Sequence, residues 1–293
     1  MYTQFFGNYL LNQQLISPDH LADALQMIKN TRVKIGILAI NAGLISAEQA
    51  EEVHKEQQRT DKRMGDIMIE KGYIRESQLE ALLKSQQSGH LMLGQVLIDN
   101  GYMTTSQFAN ALNSYKESNK ITDADFYNVK DNQTKQLLTR FYDFNGVSDS
   151  KYLVGYVSLL MKNLIRFIGD DFTPMQSEKI ENFQCNCCAY QEVSGPFNAT
   201  VIAEADINAF LEFASRYAGE VLTEYDEMAE ASVGEFLNLQ NGLFSVNLSD
   251  EIGEELTLKP QTAERNMTLT NLKNTFKIPV CFSFGTVNFI LCL

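Results

Sequence analysis

The sequence predicts an α+β protein in two parts: an all-helical N-terminal repeat domain, then a C-terminal domain with an antiparallel sheet and long helices. Three observations carry this. Gly7, Gly36, Gly65 and Gly94 stand 29 residues apart. Past residue 178, two strand-like stretches flank a Ser-Gly-Pro turn, and two more close the chain. Two helix-patterned segments lie between those hairpins, so helices and a mostly antiparallel sheet share one domain. The boundaries that follow are 1–116 for the repeats, 117–146 for a linker and 147–293 for the α+β domain.

The repeats come first in the chain. "FFGNYLLNQQLISPDHLADAL", "KIGILAINAGLISAEQAEEVH", "RMGDIMIEKGYIRESQLEALL" and "MLGQVLIDNGYMTTSQFANAL" align in register, and self-similarity at a fixed period marks a repeat architecture. Seven residues after the first glycine comes a second, Gly43, Gly72 or Gly101, with Gln14 in its place in copy one. Each copy reads as two helices. The second glycine suits the position just past a helix end, where the backbone turns left-handed. Ser46 and Thr104 open capping boxes with Gln49 and Gln107, and Ser17 is followed by Pro18 at a first helical position. Leu79 and Leu83, four apart, mark the expected packing face of the second helix.

Residues 117–149 lose the repeat and turn polar, which reads as a connector with one helix near 132–143. From Ser150, "KYLVGYVSLLMKNLIRFIG" is a densely apolar helix ended by Gly169. "KIENFQCNCCAYQEV" and "FNATVIAEA" then read as a hairpin. "DINAFLEFASRYAG" is a helix stopped by Gly219, a further helix spans about 222–240, and "KIPVCFSF" and "TVNFILCL" are closing strands.

Composition limits the functions. The 293 residues suit two domains, and a net charge of −13 argues against nucleic acid as a partner. Residues 1–119 hold 11 basic and 13 acidic side chains, while 120–293 hold 13 and 24. The near-neutral half is therefore the one suited to a small anionic ligand. The start lacks a basic leader with a cleavage site, and the longest apolar run, 152–161, is too short to span a bilayer. The chain is read as cytoplasmic. Five cysteines do not make a disulfide framework. In "CNCC", strand alternation places Cys185 and Cys187 on one face and Cys188 on the other, as small buried apolar groups rather than zinc ligands. His54, on a helix-face repeat position, reads as a packing or solvated residue, and the acidic run 250–256 as a solvated loop or helix face rather than a metal site.

The repeat motif resembles the N-terminal module of type II secretion and type IV pilus ATPases, often called MshEN. Copy three carries Arg63, Gly65, Gly72, Leu79, Leu83 and Gln86. Copy two carries Lys34, Gly36, Gly43 and Gln57, with Ala50 and His54 at the leucine positions. Copies one and four have Phe5 and Met92 at the arginine position. The resemblance implies cyclic di-GMP binding across copies two and three, through Lys34, Gly36, Gly43, Gln57, Arg63, Gly65, Gly72 and Gln86. A lysine is a point charge and cannot stack as a planar guanidinium does.

The second half carries "ASVGEFLN", with Glu235 and Asn238 three apart on one helix face and Pro260 22 positions beyond Asn238. This order of elements and spacing resembles the CheC/CheX/FliY phosphatases of bacterial chemotaxis, and the single signature is more like CheX. Ala231 stands where that signature has Ser or Asp. The resemblance implies a signalling protein that dephosphorylates the aspartyl phosphate of a CheY-like receiver. Glu235 would pair with a receiver lysine to fix docking, and Asn238 would orient the attacking water. No cofactor of its own is implied, since the receiver brings Mg²⁺. A homodimer paired through the sheets is implied too. The alternative is a non-catalytic adaptor that binds a receiver, a secretion or pilus component, or cyclic di-GMP.

Overall fold

The computed structural model describes residues 2–28, 31–84, 89–119, 131–144, 147 and 150–293. The chain divides into two compact units, Tyr2–Val129 and Lys130–Leu293. The first is helical and the second combines helices with an antiparallel sheet, as the sequence predicts.

Among its described residues the helical unit contains four helix pairs: α1 (Tyr2–Asn12) and α2 (Pro18–Met27), α3 (Ile35–Asn41) and α4 (Ala47–Gln57), α5 (Met64–Glu70) and α6 (Glu76–Lys84), α7 (Gly89–Asp99) and α8 (Thr105–Ser118). The repeat is visible in backbone geometry. Gly43, Gly72 and Gly101 take φ of 64°, 72° and 71°, and Gln14 is drawn to 54°. The residue after each donates its N–H five residues back: Leu15 to Leu10, Leu44 to Ala39, Tyr73 to Met68 and Tyr102 to Leu97. This closes the carbonyls left open at the helix end. Ile16, Ile45, Ile74 and Met103 follow, all buried. Ser46 and Thr104 complete their capping boxes and Ser17 accepts from the His20 N–H. Arg75 has no hydroxyl to give, yet its own N–H still donates to Gln78 Oε1 at 2.8 Å.

The first glycine of a repeat lets two helices touch. A Cβ on Gly94 would lie 2.1 Å from the Phe108 ring, one on Gly65 2.7 Å from Leu79, and one on Gly36 2.8 Å from Met64. The expected face of α6 needs correction: Leu79 packs, but Leu83 is 68% exposed and Leu82 is buried. The helix meets α3 and, through Leu79 on Gly65, α5, and a helix with two neighbours buries a different arc from one marked by four-residue spacing alone.

The second unit begins with α9 (Asp131–Phe141), where the connector helix was expected, packed on α10 (Ser150–Phe167). Short strands β1 (Phe172–Pro174), β2 (Glu178–Ile180) and β3 (Phe183–Gln184) lead into β4 (Cys187–Ser194) and β5 (Ala199–Ala205). Helices α11 (Ile207–Ala218) and α12 (Glu227–Ile252) follow, then β6 (Thr257–Leu258), β7 (Thr262–Arg265), β8 (Thr268–Leu269), β9 (Thr275–Phe282) and β10 (Gly285–Cys292). The main sheet runs β1-β9-β10-β5-β4-β6, with β2 on β9 and β7 on β4, all antiparallel. Pro279 in β9 has no N–H to give. Its neighbour strand is accordingly split into β1 and β2, with the Met175 N–H donating to the Pro279 carbonyl.

Helices α11 and α12 pack together on one sheet face, through Phe213, Phe236 and Phe289. On another side, Cys185, Cys188, Ile202 and Ile290 form a second buried cluster with Phe183 and Leu269 of the β3–β8 pair. The cysteine alternation is thus corrected. The strand begins at Cys187, Cys185 lies before it with its N–H bonded to the Met267 carbonyl, and Cys185 therefore joins Cys188.

Candidate functional site

Glu235 and Asn238 lie midway along α12, which corrects the helix expected over 222–240. Asp226 caps its start by accepting from the N–H groups of Met228 and Ala229, and Gly253 ends it in the left-handed conformation. The polar stretch after Asn238 stays helical because it is buried and partnered. Asn163 Nδ2 donates to Gln240 Oε1 at 2.7 Å, and the Tyr156 hydroxyl donates to Asn241 Oδ1 at 2.7 Å. Gln240 and Asn241 are each 0% exposed. Buried amides need such partners, and α10 supplies both.

At the surface, Glu235 is exposed and Asn238 half-buried. Asn238 Nδ2 approaches Glu235 Oε2 at 3.5 Å, so one face presents both. Gln261 Nε2 donates to Glu235 Oε1 at 2.6 Å. The β6–β7 loop that carries Pro260 is pinned here: Gln191 Nε2 donates to the Lys259 carbonyl at 2.8 Å, and the Lys259 N–H donates to the Glu192 carbonyl. A Cβ on Gly234 would lie 2.8 Å from Gln261 Cγ, so glycine gives the loop its room. The 22-residue spacing thus has a physical meaning, because it returns the chain over the pair it left. The Glu235 carboxylate has a neighbour in Tyr217, whose phenol is pushed up first by burial and then by that charge.

Ala231 is exposed, and Ser232 does not replace the missing hydroxyl. Its Oγ donates to the Met228 carbonyl at 2.7 Å, within its own helix. The sequence reading missed Gln191, Gln261 and Asn241. The spacing of Pro260 is the signal that pointed to the loop, but nothing in a strand glutamine reveals that it reaches a helix 47 positions on.

The site has a carboxylate and a carboxamide on a rigid helix, beside a fixed loop. Among the described residues there is no group of three or more His, Cys, Asp or Glu side chains placed to hold a metal. The pair can dock a cation and hold a water or an oxyanion by hydrogen bonds. A cavity of about 1020 Å³ lies elsewhere in the unit, lined by residues including Lys135, Arg140, Lys162, Phe244 and Asp250, and it includes neither Glu235 nor Asn238.

In the helical unit, Lys34 and Arg63 occupy equivalent N-cap positions before α3 and α5, both exposed. The Lys34 ammonium is paired with Asp99 of copy four at 2.6 Å, and its N–H donates to Gln95 Oε1. Gly36 and Gly65 are buried at helix contacts, while Gly43 and Gly72 are exposed turn residues. Gln57 Nε2 lies 3.5 Å from the Lys62 carbonyl, next to Arg63. Gln86 lies outside the described residues.

The class that fold and site define is an α+β domain presenting an acid–amide pair from a central helix. No family model matches the chain, and no curated protein does. Solved structures similar to this chain include a CheC-like superfamily protein from Shewanella sp. PV-4 (20% identity, TM-score 0.43, covering 48% of this chain and 96% of that one). Another is the chemotaxis protein CheX from Desulfovibrio desulfuricans (17%, 0.42, 49% and 99%). A third is a CheX–CheY–BeF3–Mg complex from Borrelia burgdorferi (14%, 0.39, 48% and 96%). Among the described residues, no helix is long and apolar enough to cross a membrane.

Proposed function

We propose that the C-terminal unit hydrolyses the aspartyl phosphate of a CheY-like receiver domain. The observation that carries this is the surface pair itself: Glu235 and Asn238 presented side by side on a helix, with the Pro260 loop fixed over them. Phosphoryl transfer asks for positioning more than covalent chemistry. Asn238 Oδ1 accepts from buried Gln191, which leaves Nδ2 on the outer side to donate a hydrogen to a water oxygen. A water held there keeps its second lone pair free to attack phosphorus in line with the leaving aspartate. Glu235 Oε2 faces outward beside Asn238 and pairs with a receiver lysine. The partner supplies Mg²⁺ as part of its own phosphorylation site.

The two roles separate kinetically. With a phosphorylated receiver as substrate, Asn238→Ala lowers kcat by about 100-fold, the loss expected for a mispositioned reactant. Glu235→Ala instead raises KM, by about tenfold, because it removes a docking charge. An adaptor would bind the receiver with no phosphate loss beyond the receiver's own decay.

For the helical unit the proposal is cyclic di-GMP binding across copies two and three. The exposed Arg63 at the head of α5 favours it, since a guanidinium stacks on a flat base. Lys34 would have to leave Asp99 to take part. Calorimetric titration gives heat with the native chain and none with Arg63→Ala. Silence from the native chain at tens of micromolar leaves the repeats as a packing or partner-binding domain. The resemblance behind the phosphatase reading also carries a homodimer paired through the sheet.

A further inference from the structure

We propose that Gln191 is a positioning residue for Asn238, and that it decides which end of the Asn238 carboxamide is turned inward. This rests on the phosphatase reading above. Gln191 is on β4, 1% exposed, beneath the helix that carries the pair. The orientation follows from one backbone group. The Lys259 carbonyl can only accept, so the Gln191 atom 2.8 Å from it is the amide nitrogen. That nitrogen is also 3.0 Å from the Asn238 side chain, so the Asn238 atom there is the oxygen. Asn238 Nδ2 is then left on the outer side, toward Glu235.

Both hydrogens of Gln191 Nε2 are used in these two bonds. Its oxygen is fixed from behind: Asn241 Nδ2 donates to Gln191 Oε1 at 2.7 Å, and the Tyr156 hydroxyl donates to Asn241 Oδ1 at 2.7 Å. Tyr156 and Asn241 are 1% and 0% exposed. The relay Tyr156–Asn241–Gln191–Asn238 thus has one direction, set by the Lys259 carbonyl and reaching the surface at Asn238.

A carboxamide on a partly open helix face has a broad terminal torsion and turns over at little cost. Apolar side chains of similar volume would fill the space under α12 without any buried group that requires a partner. What the amides add is direction. Gln191 reaches Asn238 from the buried side and acts through it. The chain of bonds also includes the residue before Pro260, so the loop and the amide are set together.

The test uses the full chain and a CheY-type receiver phosphorylated with acetyl phosphate in the presence of Mg²⁺. Gln191→Met keeps the length of the side chain and removes the donor; Gln191→Leu is the second variant should the first fail to fold. The expected result is a kcat at least about tenfold lower, with KM for the receiver changed less than about twofold. In an Asn238→Ala background the same substitution lowers the rate by less than about twofold, because the residue it acts through is gone. An unchanged kcat, or an equal loss in both backgrounds, overturns the inference and leaves the phosphatase reading standing.

A second readout does not depend on turnover. The Asn238 side-chain NH₂ signals, assigned by their loss in Asn238→Ala, are expected to shift or broaden in the Gln191 variant while backbone signals away from β4 and α12 hold. If they stay in place, the positioning role is refuted whatever the kinetics show. If the native chain fails to speed phosphate loss, the phosphatase reading falls, and a shift of these signals still supports the orientation.

Discussion

Gln14 stands where the other three repeats carry glycine, and its backbone follows them to φ 54°. A side chain in the left-handed region costs about 1–2 kcal/mol, part of which glycine's greater freedom in the unfolded chain offsets. Gln14→Gly is expected to stabilise the helical unit by about 0.5–1 kcal/mol, measured by urea unfolding of both chains. A loss of stability would mean that the Gln14 side chain contributes more than its backbone strain. Glu235 and Asn238 were singled out by their spacing taken together with Pro260 and the order of elements, since two residues three apart on a helix suit any solvated face. Their surroundings were not, because Gln191, Asn241 and Tyr156 are drawn from three different elements. The hydroxyl position shows the limit from the other side. Ser232 is one step from the expected place, and on a helix that step turns it to the Met228 carbonyl.

In copies two to four one glycine lets two helices touch, and copy four has the tightest contact, between Gly94 of α7 and the Phe108 ring of α8. Phe108 is fully buried and cannot swing away, so Gly94→Ala is expected to destabilise the helical unit by about 2–3 kcal/mol, as overpacking does. Gly101→Ala at the end of the same helix meets open space and gives a loss through its positive φ alone, a useful comparison in the same denaturation series. The short helices were legible because glycine, cap and apolar pair recur with a fixed spacing. The length of α12 was not, because buried Gln240 and Asn241 interrupt the apolar pattern on which a boundary is judged. Strands β6, β7 and β8, of two to four residues, are too short to show alternation, yet β6 and β7 hold the loop over the site.

At the scale of the whole molecule, pH and charge act on both stability and docking. His90 is buried in α7, and burial, with Lys116 adding to it, pushes the imidazole down to about 3. The unfolded chain takes up this proton near the ordinary value of 6.5, so it binds more protons than the folded chain between those limits. Stability of the helical unit is therefore full above about 6.5 and falls as pH drops toward 3, by at most about 1.4 kcal/mol per pH unit from this group. Urea unfolding from pH 7 to 4 is expected to show that slope, and His90→Gln to flatten it. The acidic excess, with 24 acidic against 13 basic side chains in residues 120–293, adds a salt-sensitive term to any docking of a partner. The two-unit plan was legible from one change of pattern after residue 116, since repeats and hairpins differ in every local signal. The central claim is that the Glu235–Asn238 face removes phosphate from a receiver. The most direct measurement follows labelled phosphate on a CheY-type receiver alone, with the native chain, and with Asn238→Ala. Rapid loss is expected with the native chain and near-receiver rates with the variant; equal decay in all three would overturn the phosphatase reading.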